Sequence, residues 1–299
     1  MKLEYLRSCN LCNSNQIETI DADCNICKCL SDGYIFDNPR PTADEIISFY
    51  SKAMKYDSWL SEEQARDALW KRRLRKMEKT RKIGTLLDIG TGIAQFLHHA
   101  RKYYTEVYGT EVSESAINIA KNKYNLNIIK GETENIQFET TFDNITLFHV
   151  LEHVPSPRTV IEKCRSLLST GGVLVIAVPN DILSLKTKVK IFLKKIGVKR
   201  FSNIGKLGLP KIKLDGSLDE IHLSHFTPEV LKQVLERSGF SVIENSLDPY
   251  YASSGVKLIC HHLYYIFHLI LMFVLKRNYY DTIYTVAKRN DCNTSPNSG

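Results

Sequence analysis

The chain has 299 residues, 43% hydrophobic and 24% charged, with 15 Gly and 9 Pro; this excludes disordered, collagen-like and fibrous classes and fits one large globular domain or two modest ones. The net charge of +7 is local: residues 181–213 hold ten Lys and Arg against Asp181 alone, leaving the remainder slightly acidic, so a nucleic-acid footprint over the whole surface is not expected. The start, Met1-Lys2-Leu3-Glu4-Tyr5-Leu6-Arg7, shows no apolar signal segment, and the expected location is the cytoplasm.

Five of the eight cysteines, Cys9, Cys12, Cys24, Cys27 and Cys29, fall in the first 29 residues. Cys9-x2-Cys12 and Cys24-x2-Cys27 have the spacing of two thiolate knuckles, so a structural zinc held by Cys9, Cys12, Cys24 and Cys27 is expected, with Cys29 as an alternative to Cys24 or Cys27. So short a head cannot bury a core, and metal binding would replace one. An extended linker, residues 36–42, then ends at a helix start where Thr42 and Glu45 have capping-box spacing. Residues 43–82 read as a polar helical segment whose run of Arg and Lys from Arg66 onward is expected to be a solvated face.

Residues 85–97, TLLDIGTGIAQFL, read as a buried strand, a glycine turn and a helix start. Gly90 and Gly92 allow a tight turn and close approach to a ligand at a helix N-terminus. The next strand ends at Glu111, about 20 residues on, where a carboxylate can accept ribose hydroxyls. A helix over 115–124, a strand over 127–130 and Gly131-Glu132 complete a βαβαβ alternation, which specifies a doubly wound parallel sheet.

Two cofactors compete for such a unit, a nicotinamide dinucleotide and S-adenosylmethionine, and the third glycine of the dinucleotide fingerprint is missing. Here the chain resembles the class I S-adenosylmethionine-dependent methyltransferases. Residues 87–92 (LDIGTG) look like the first motif of that family, Glu111 like the acid ending its second strand, and 142–154 (FDNITLFHVLEHV) like its fourth strand and the continuation of it. Residues 171–180, 222–239 and 282–288 look like the later elements, and the N-terminal cysteines with a PRPT linker resemble one branch of the family. The resemblance implies an α/β, Rossmann-like, seven-stranded fold with a small zinc ribbon and helical insertions. It also implies cofactor contacts from Asp88, Gly90, Thr91, Gly92, Gln95, Phe96, Glu111, Val112, Gly131, Glu132, Phe148 and His149. For that branch it implies a small-molecule acceptor, often a sugar or surface-polysaccharide precursor. A departure is Ala94 where the family usually has glycine, and a helix start accepts alanine.

The expected domains are a head and linker over 1–42, a helical segment over 43–82, a catalytic domain over 83–290 and a disordered tail over 291–299. O-methylation needs a base near neutral pKa, and His222 with His225, just before a helix capped by Thr227-Pro228, are the expected candidates. Glu152 and His153 read as structural. The basic stretch after Asp181 places Ile182, Leu185, Val189, Phe192 and Ile196 on one helical side, where an insertion can form a lid; it reads as a solvated helix with an apolar core face, a dock for an anionic substrate, or a helix on an anionic bilayer. Residues 258–275 form the longest apolar run, interrupted by His261, His262 and His268; the strand expected after it argues for a helix packed on the domain or on a second copy, with peripheral membrane contact as the second reading. A noncatalytic protein on the same fold is the rival functional class.

Overall fold

The protein is described by a computed structural model covering residues 2–51, 56–215, 218 and 220–290. The tail 291–299, expected to be disordered, lies outside the described residues. In the head, β1 (Leu3–Glu4), β2 (Ile17–Asp21), β3 (Ile26–Cys29), β4 (Ile35–Asp37) and β5 (Arg40–Pro41) are short strands, followed by α1 (Ala43–Tyr50), α2 (Asp57–Ser61) and α3 (Glu63–Met77). The sheet region runs β6 (Thr85–Ile89), α4 (Gln95–Ala100), β7 (Glu106–Glu111), α5 (Glu114–Tyr124), β8 (Ile129–Lys130), β9 (Phe142–Phe148), α6 (Pro157–Leu167) and β10 (Leu168–Pro179). Then follow α7 (Leu185–Lys195), β11 (Ser224–His225), α8 (Pro228–Arg237), β12 (Phe240–Ser246), α9 (Gly255–Leu275) and β13 (Thr282–Arg289).

Seven strands form one sheet in the order β12-β13-β10-β9-β6-β7-β8. Neighbours from β10 to β8 are parallel, whereas β13 runs antiparallel between β10 and β12. This is the doubly wound, seven-stranded sheet expected from the motif series. Apolar runs such as Val173–Val178 are fully buried because helices cover both faces: α6 and α8 on one, α3 and α4 on the other. The order reverses at β6, so ligands are expected beyond the carboxyl ends of β6, β7 and β9.

Four local expectations are corrected. Glu45 accepts the backbone N–H of Lys2, and Thr42 makes no side-chain cap bond, so the capping box does not form; Thr227, by contrast, accepts from Val230 N–H with Pro228 in the first helical turn. The Arg/Lys run of α3 is not all solvated: Arg66 is buried, and Arg73 is fully buried against Asp248. Ala94 stands in the left-handed region at φ 59°, a conformation that favours glycine, rather than at an ordinary helix start. Finally, the head does not stand apart. His225 and Ser224 in β11 pair with β4, extending the head sheet to β11-β4-β3-β2, while Tyr34 and Phe36 share a core with Phe226 and Val230.

Candidate active site

A cavity of about 670 Å³ opens at the switch point, within the size range of small-molecule sites. One wall is the glycine turn after β6. Gly90 (φ 64°) and Gly92 (φ 56°) adopt left-handed backbone, and added Cβ atoms would stand 2.6 Å from Val150 and 2.8 Å from Trp59. Side chains there would close the gap the turn leaves. At the end of β7, Glu111 takes the Gly92 N–H (2.8 Å) on one oxygen and the Val112 and Ser113 N–H groups (2.9 Å each) on the other. Burial pushes the pKa of Glu111 up, against the pull of those three donors.

Gly90, Gly92, Glu111, Val112, Gly131, Glu132, Phe148 and His149 all line the cavity. Asp88, Thr91, Gln95 and Phe96, also expected at the cofactor, are not among the lining residues. Asp88 lies within β6, one residue behind the turn, and accepts from Thr146 Oγ1 at 2.6 Å; burial lifts its pKa to about 7. Thr91 ties its N–H to the Thr110 carbonyl. Gln95 bonds to Glu63, Asp67 and Trp70 of α3, and the Phe96 ring packs on Trp70 and Phe148. These four hold the wall from behind.

The far wall comes from the segment read as polar: Phe49 and Tyr50 of α1, Tyr56 and Trp59, and Arg66 and Trp70 of α3, with Tyr250 after β12. The Arg66 guanidinium lies 3.9 Å from the centroid of Trp59. Sequence reasoning missed these residues because each is a common aromatic or a basic residue in a charge-rich helix, with no spacing signal of its own.

The expected bases, His222 and His225, are not among the residues that line the cavity. His225 is buried where the head joins the domain, its Nε2 2.9 Å from Asp37 and its Nδ1 3.4 Å from Asp181. Burial alone would lower its pKa, but the two carboxylates outweigh it and hold it at about 9. His222 pairs with Asp181 at 2.8 Å, with Glu220 Oε2 3.5 Å away, and is raised well above the ordinary value despite burial. Both are paired with acids, and they join head, insertion and sheet.

Two other histidines do line the cavity, His149 and His153. His149, a non-glycine residue at φ 58°, lies 3.4 Å from Glu152 and 3.8 Å from Asp248; those acids outweigh burial and raise its pKa. His153 is different. Its Nδ1 is 2.6 Å from the Ile221 carbonyl, which can only accept, so Nδ1 carries the proton and Nε2 the lone pair. Burial lowers its pKa, keeping the ring neutral. The Tyr50 hydroxyl, 2.9 Å from Nδ1, also braces the ring. The structural reading of His153 is thus replaced by a place on the cavity wall, while Glu152 is buried beneath it.

The cysteines also sort differently from their spacing. Cys9, Cys12, Cys29 and Asp32 bring one ligand atom each within 4.8 Å of one another. Cys24 packs instead with Ile26, Ile35 and Leu209, and Cys27 Sγ faces Thr19 and the Asn38 carbonyl. The reason is strand geometry: at about 3.3 Å per residue, Cys27 sits nearly 7 Å farther along β3 than Cys29 and out of reach of the Cys9–Cys12 knuckle.

The family model for the methyltransferase domain matches residues 61–245. The chain belongs to this methyltransferase family. Its relatives include ubiquinone biosynthesis O-methyltransferases from Coxiella burnetii (35% identity, covering 32% of this chain and 43% of that protein) and Colwellia psychrerythraea (27%, covering 54% and 62%). The chain thus spans about half the length of these curated relatives. Its fold is similar to that of an S-adenosylmethionine dependent methyltransferase from Mesorhizobium loti, at 17% identity and a TM-score of 0.50 over 73% of this chain and 96% of that one.

Proposed function

We propose that this S-adenosylmethionine-dependent methyltransferase methylates a hydroxyl group on a neutral small molecule, with His153 as the base. The observation that carries the reading is a neutral histidine on the wall of the same cavity as the glycine turn and Glu111, with Nε2 unprotonated and 3.7 Å from the Glu152 carboxylate that can steady the ring once it takes a proton. Those residues fit the cofactor: the left-handed glycines clear its approach, and Glu111 stands at the end of β7 where ribose hydroxyls are taken. S-adenosylmethionine, when bound, supplies an electrophilic methyl group on a sulfonium. The protein aligns the acceptor oxygen, excludes water with Tyr50, Trp59 and Tyr250, and takes the hydroxyl proton on His153 Nε2.

Charge argues against the anionic substrate that the basic stretch after Asp181 suggested. The cavity wall bears Glu111, Glu132, Glu134 and Glu220 against Arg66 and the raised-pKa His149. A sugar phosphate would meet an acidic surround, whereas a neutral phenol or polyol would not. The relatives' names support oxygen as the acceptor atom. Calorimetric titration should show saturable S-adenosylmethionine binding and none of NAD; NAD binding alone would overturn the methyltransfer reading. In an acceptor panel, faster turnover of nucleotide sugars than of neutral phenols or polyols would overturn the choice of acceptor only.

A structural zinc is also proposed for the head, held by Cys9, Cys12, Cys29 and Asp32. The Cys12–Cys29 sulfur separation of 3.6 Å and the Cys9–Asp32 separation of 3.8 Å match the edges of a tetrahedron built on Zn–S bonds of about 2.3 Å. With four protein ligands, such a site leaves no open position for catalysis. Elemental analysis should give about one zinc per chain. Cys29→Ser should lose it, whereas Cys24→Ser and Cys27→Ser should keep it; the reverse pattern would restore the ligand set expected from spacing.

A further inference from the structure

Helix α9 is turned inside out. Its side toward the protein carries the polar and aromatic groups: His268 is buried, with Nδ1 2.9 Å from the Tyr264 carbonyl; His261 Nδ1 meets Ser253; and the Tyr264 hydroxyl donates to Asp281. Its outer side repeats at helical spacing through Val256, Ile259, Leu263, Phe267, Ile270 and Phe273, and the last is 74% exposed. The most apolar stretch of the helix averages a mean hydropathy of 1.9, with 6% of it buried. A stable solvated face does not look like this.

The same inversion appears on α7. The described side chains on that helix include a single buried one, Thr187, while Leu185, Val189 and Phe192 point outward, with Ile196 just beyond. Of the apolar side expected for the basic insertion, Ile182 before the helix packs on the core and the other four residues are exposed. Segment 279–281 touches both helices: Leu185 N–H donates to the Tyr279 carbonyl, Lys188 lies over the Tyr279 ring, and Asp281 accepts from Tyr264 and lies 4.0 Å from Lys186.

We propose that the outer faces of α9 and α7 dock the enzyme on an anionic phospholipid bilayer, with α9 lying in the interfacial plane. The occupant is chosen by charge. Neither helix contains an acid; Lys257 lies in the first turn of α9 and Lys276 and Arg277 follow its last, and exposed Lys186, Lys188, Lys195, Lys199 and Arg200 surround the apolar side of α7. This pattern attracts anionic headgroups and repels a second copy of itself. Spanning is excluded by connection: β12 before α9 and β13 after it are neighbours in one sheet, so both ends of the helix return to the same body. At about 1.5 Å per residue the helix lays roughly 30 Å of apolar surface on the membrane. Because Tyr251, which packs on His261, His262 and Tyr265 of α9, follows Tyr250 of the cavity wall, docking would set the site one residue from the membrane-bound element.

The test is flotation of the full chain with vesicles of phosphatidylcholine alone or mixed equally with phosphatidylglycerol, together with light scattering of the free protein. Binding to the mixed vesicles should exceed binding to phosphatidylcholine by at least about tenfold and weaken with added salt. Lys195→Glu with Lys199→Glu should remove most of that preference, and Phe267→Glu with Phe273→Glu should abolish binding, with S-adenosylmethionine affinity unchanged in both since these side chains are exposed. Failure to float with either vesicle by a protein that still binds S-adenosylmethionine would overturn the docking and leave the catalytic reading intact. So would a stable dimer that Phe267→Glu with Phe273→Glu dissociates, because a second copy would then cover the face.

Discussion

His153→Asn should lower turnover by about 10²–10⁴-fold while leaving S-adenosylmethionine affinity and thermal midpoint near those of the parent. Asparagine keeps a donor for the Ile221 carbonyl, which now holds the imidazole Nδ1–H at 2.6 Å, but offers no basic nitrogen. Proton removal is felt as the acceptor oxygen forms its new bond and not when the cofactor binds, so kcat should fall and the cofactor Kd should not. The pH profile is the second readout. Because burial lowers the pKa of His153, kcat/KM should be flat through neutrality and fall only as pH drops below the usual histidine range. Removing His222 or His225 should act through stability instead: their pKa values are raised by Asp181, with Asp37 also acting on His225. The stabilisation they lend is present below about pH 6.5 and lost as pH rises, for His225 through about 9. A turnover within a few-fold of the parent for His153→Asn would mean that positioning alone drives the transfer.

The sheet was legible because its evidence is ordered: a strand, a glycine turn, an acid ending the next strand and an apolar strand into LEHV recur in one sequence at fixed order, and each link constrains the next. The cofactor wall followed from it, apart from Asp88, Thr91, Gln95 and Phe96, where the motif gave membership but not the direction of a side chain. The acceptor wall was hidden. An arginine such as Arg66 or Arg73 reads as solvated until a partner is placed opposite it, and those partners, Trp59, Tyr250 and Asp248, are either separated by up to 184 residues or carry no pattern. The Cys9, Cys12, Cys29 and Asp32 cluster held a signal that went unused: Cys29-x2-Asp32 before Gly33 has the same spacing as Cys9-x2-Cys12, with a carboxylate in place of one thiolate. Counting cysteines alone pairs Cys9 and Cys12 with Cys24 and Cys27, which lie outside that cluster. The helix α9 was found by its apolar run, but composition cannot say that histidine and tyrosine turn inward and leucine and phenylalanine outward.

Arg73→Ala should be the most damaging single change to stability, at about 3–5 kcal/mol. The Arg73 guanidinium is fully buried, with Nε 3.0 and 3.1 Å from the two Asp248 oxygens and Nη2 on one of them; its carbon lies 4.3 Å from the Phe148 ring centroid and 4.9 Å from that of Tyr250. It therefore fixes α3 to the chain after β12 directly behind the cavity. Truncation leaves the Asp248 carboxylate in the core with His149 at 3.8 Å. Burial pushes that carboxyl up, and in the parent the arginine and His149 outweigh burial and hold its pKa at about 2. The sign of the pH effect follows. In the parent, the contribution of Asp248 is present above about pH 4 and lost only as pH falls through about 2. In Arg73→Ala the carboxyl titrates higher, so acidification neutralises the stranded charge and the deficit should shrink between pH 7 and pH 5. Arg73→Met with Asp248→Leu, which removes both charges and keeps volume, should recover much of the loss at pH 7. Urea unfolding of the three proteins at both pH values checks this; a deficit that stays constant with pH and is not recovered in the double variant would assign the cost to lost aromatic packing around the guanidinium rather than to the stranded carboxylate.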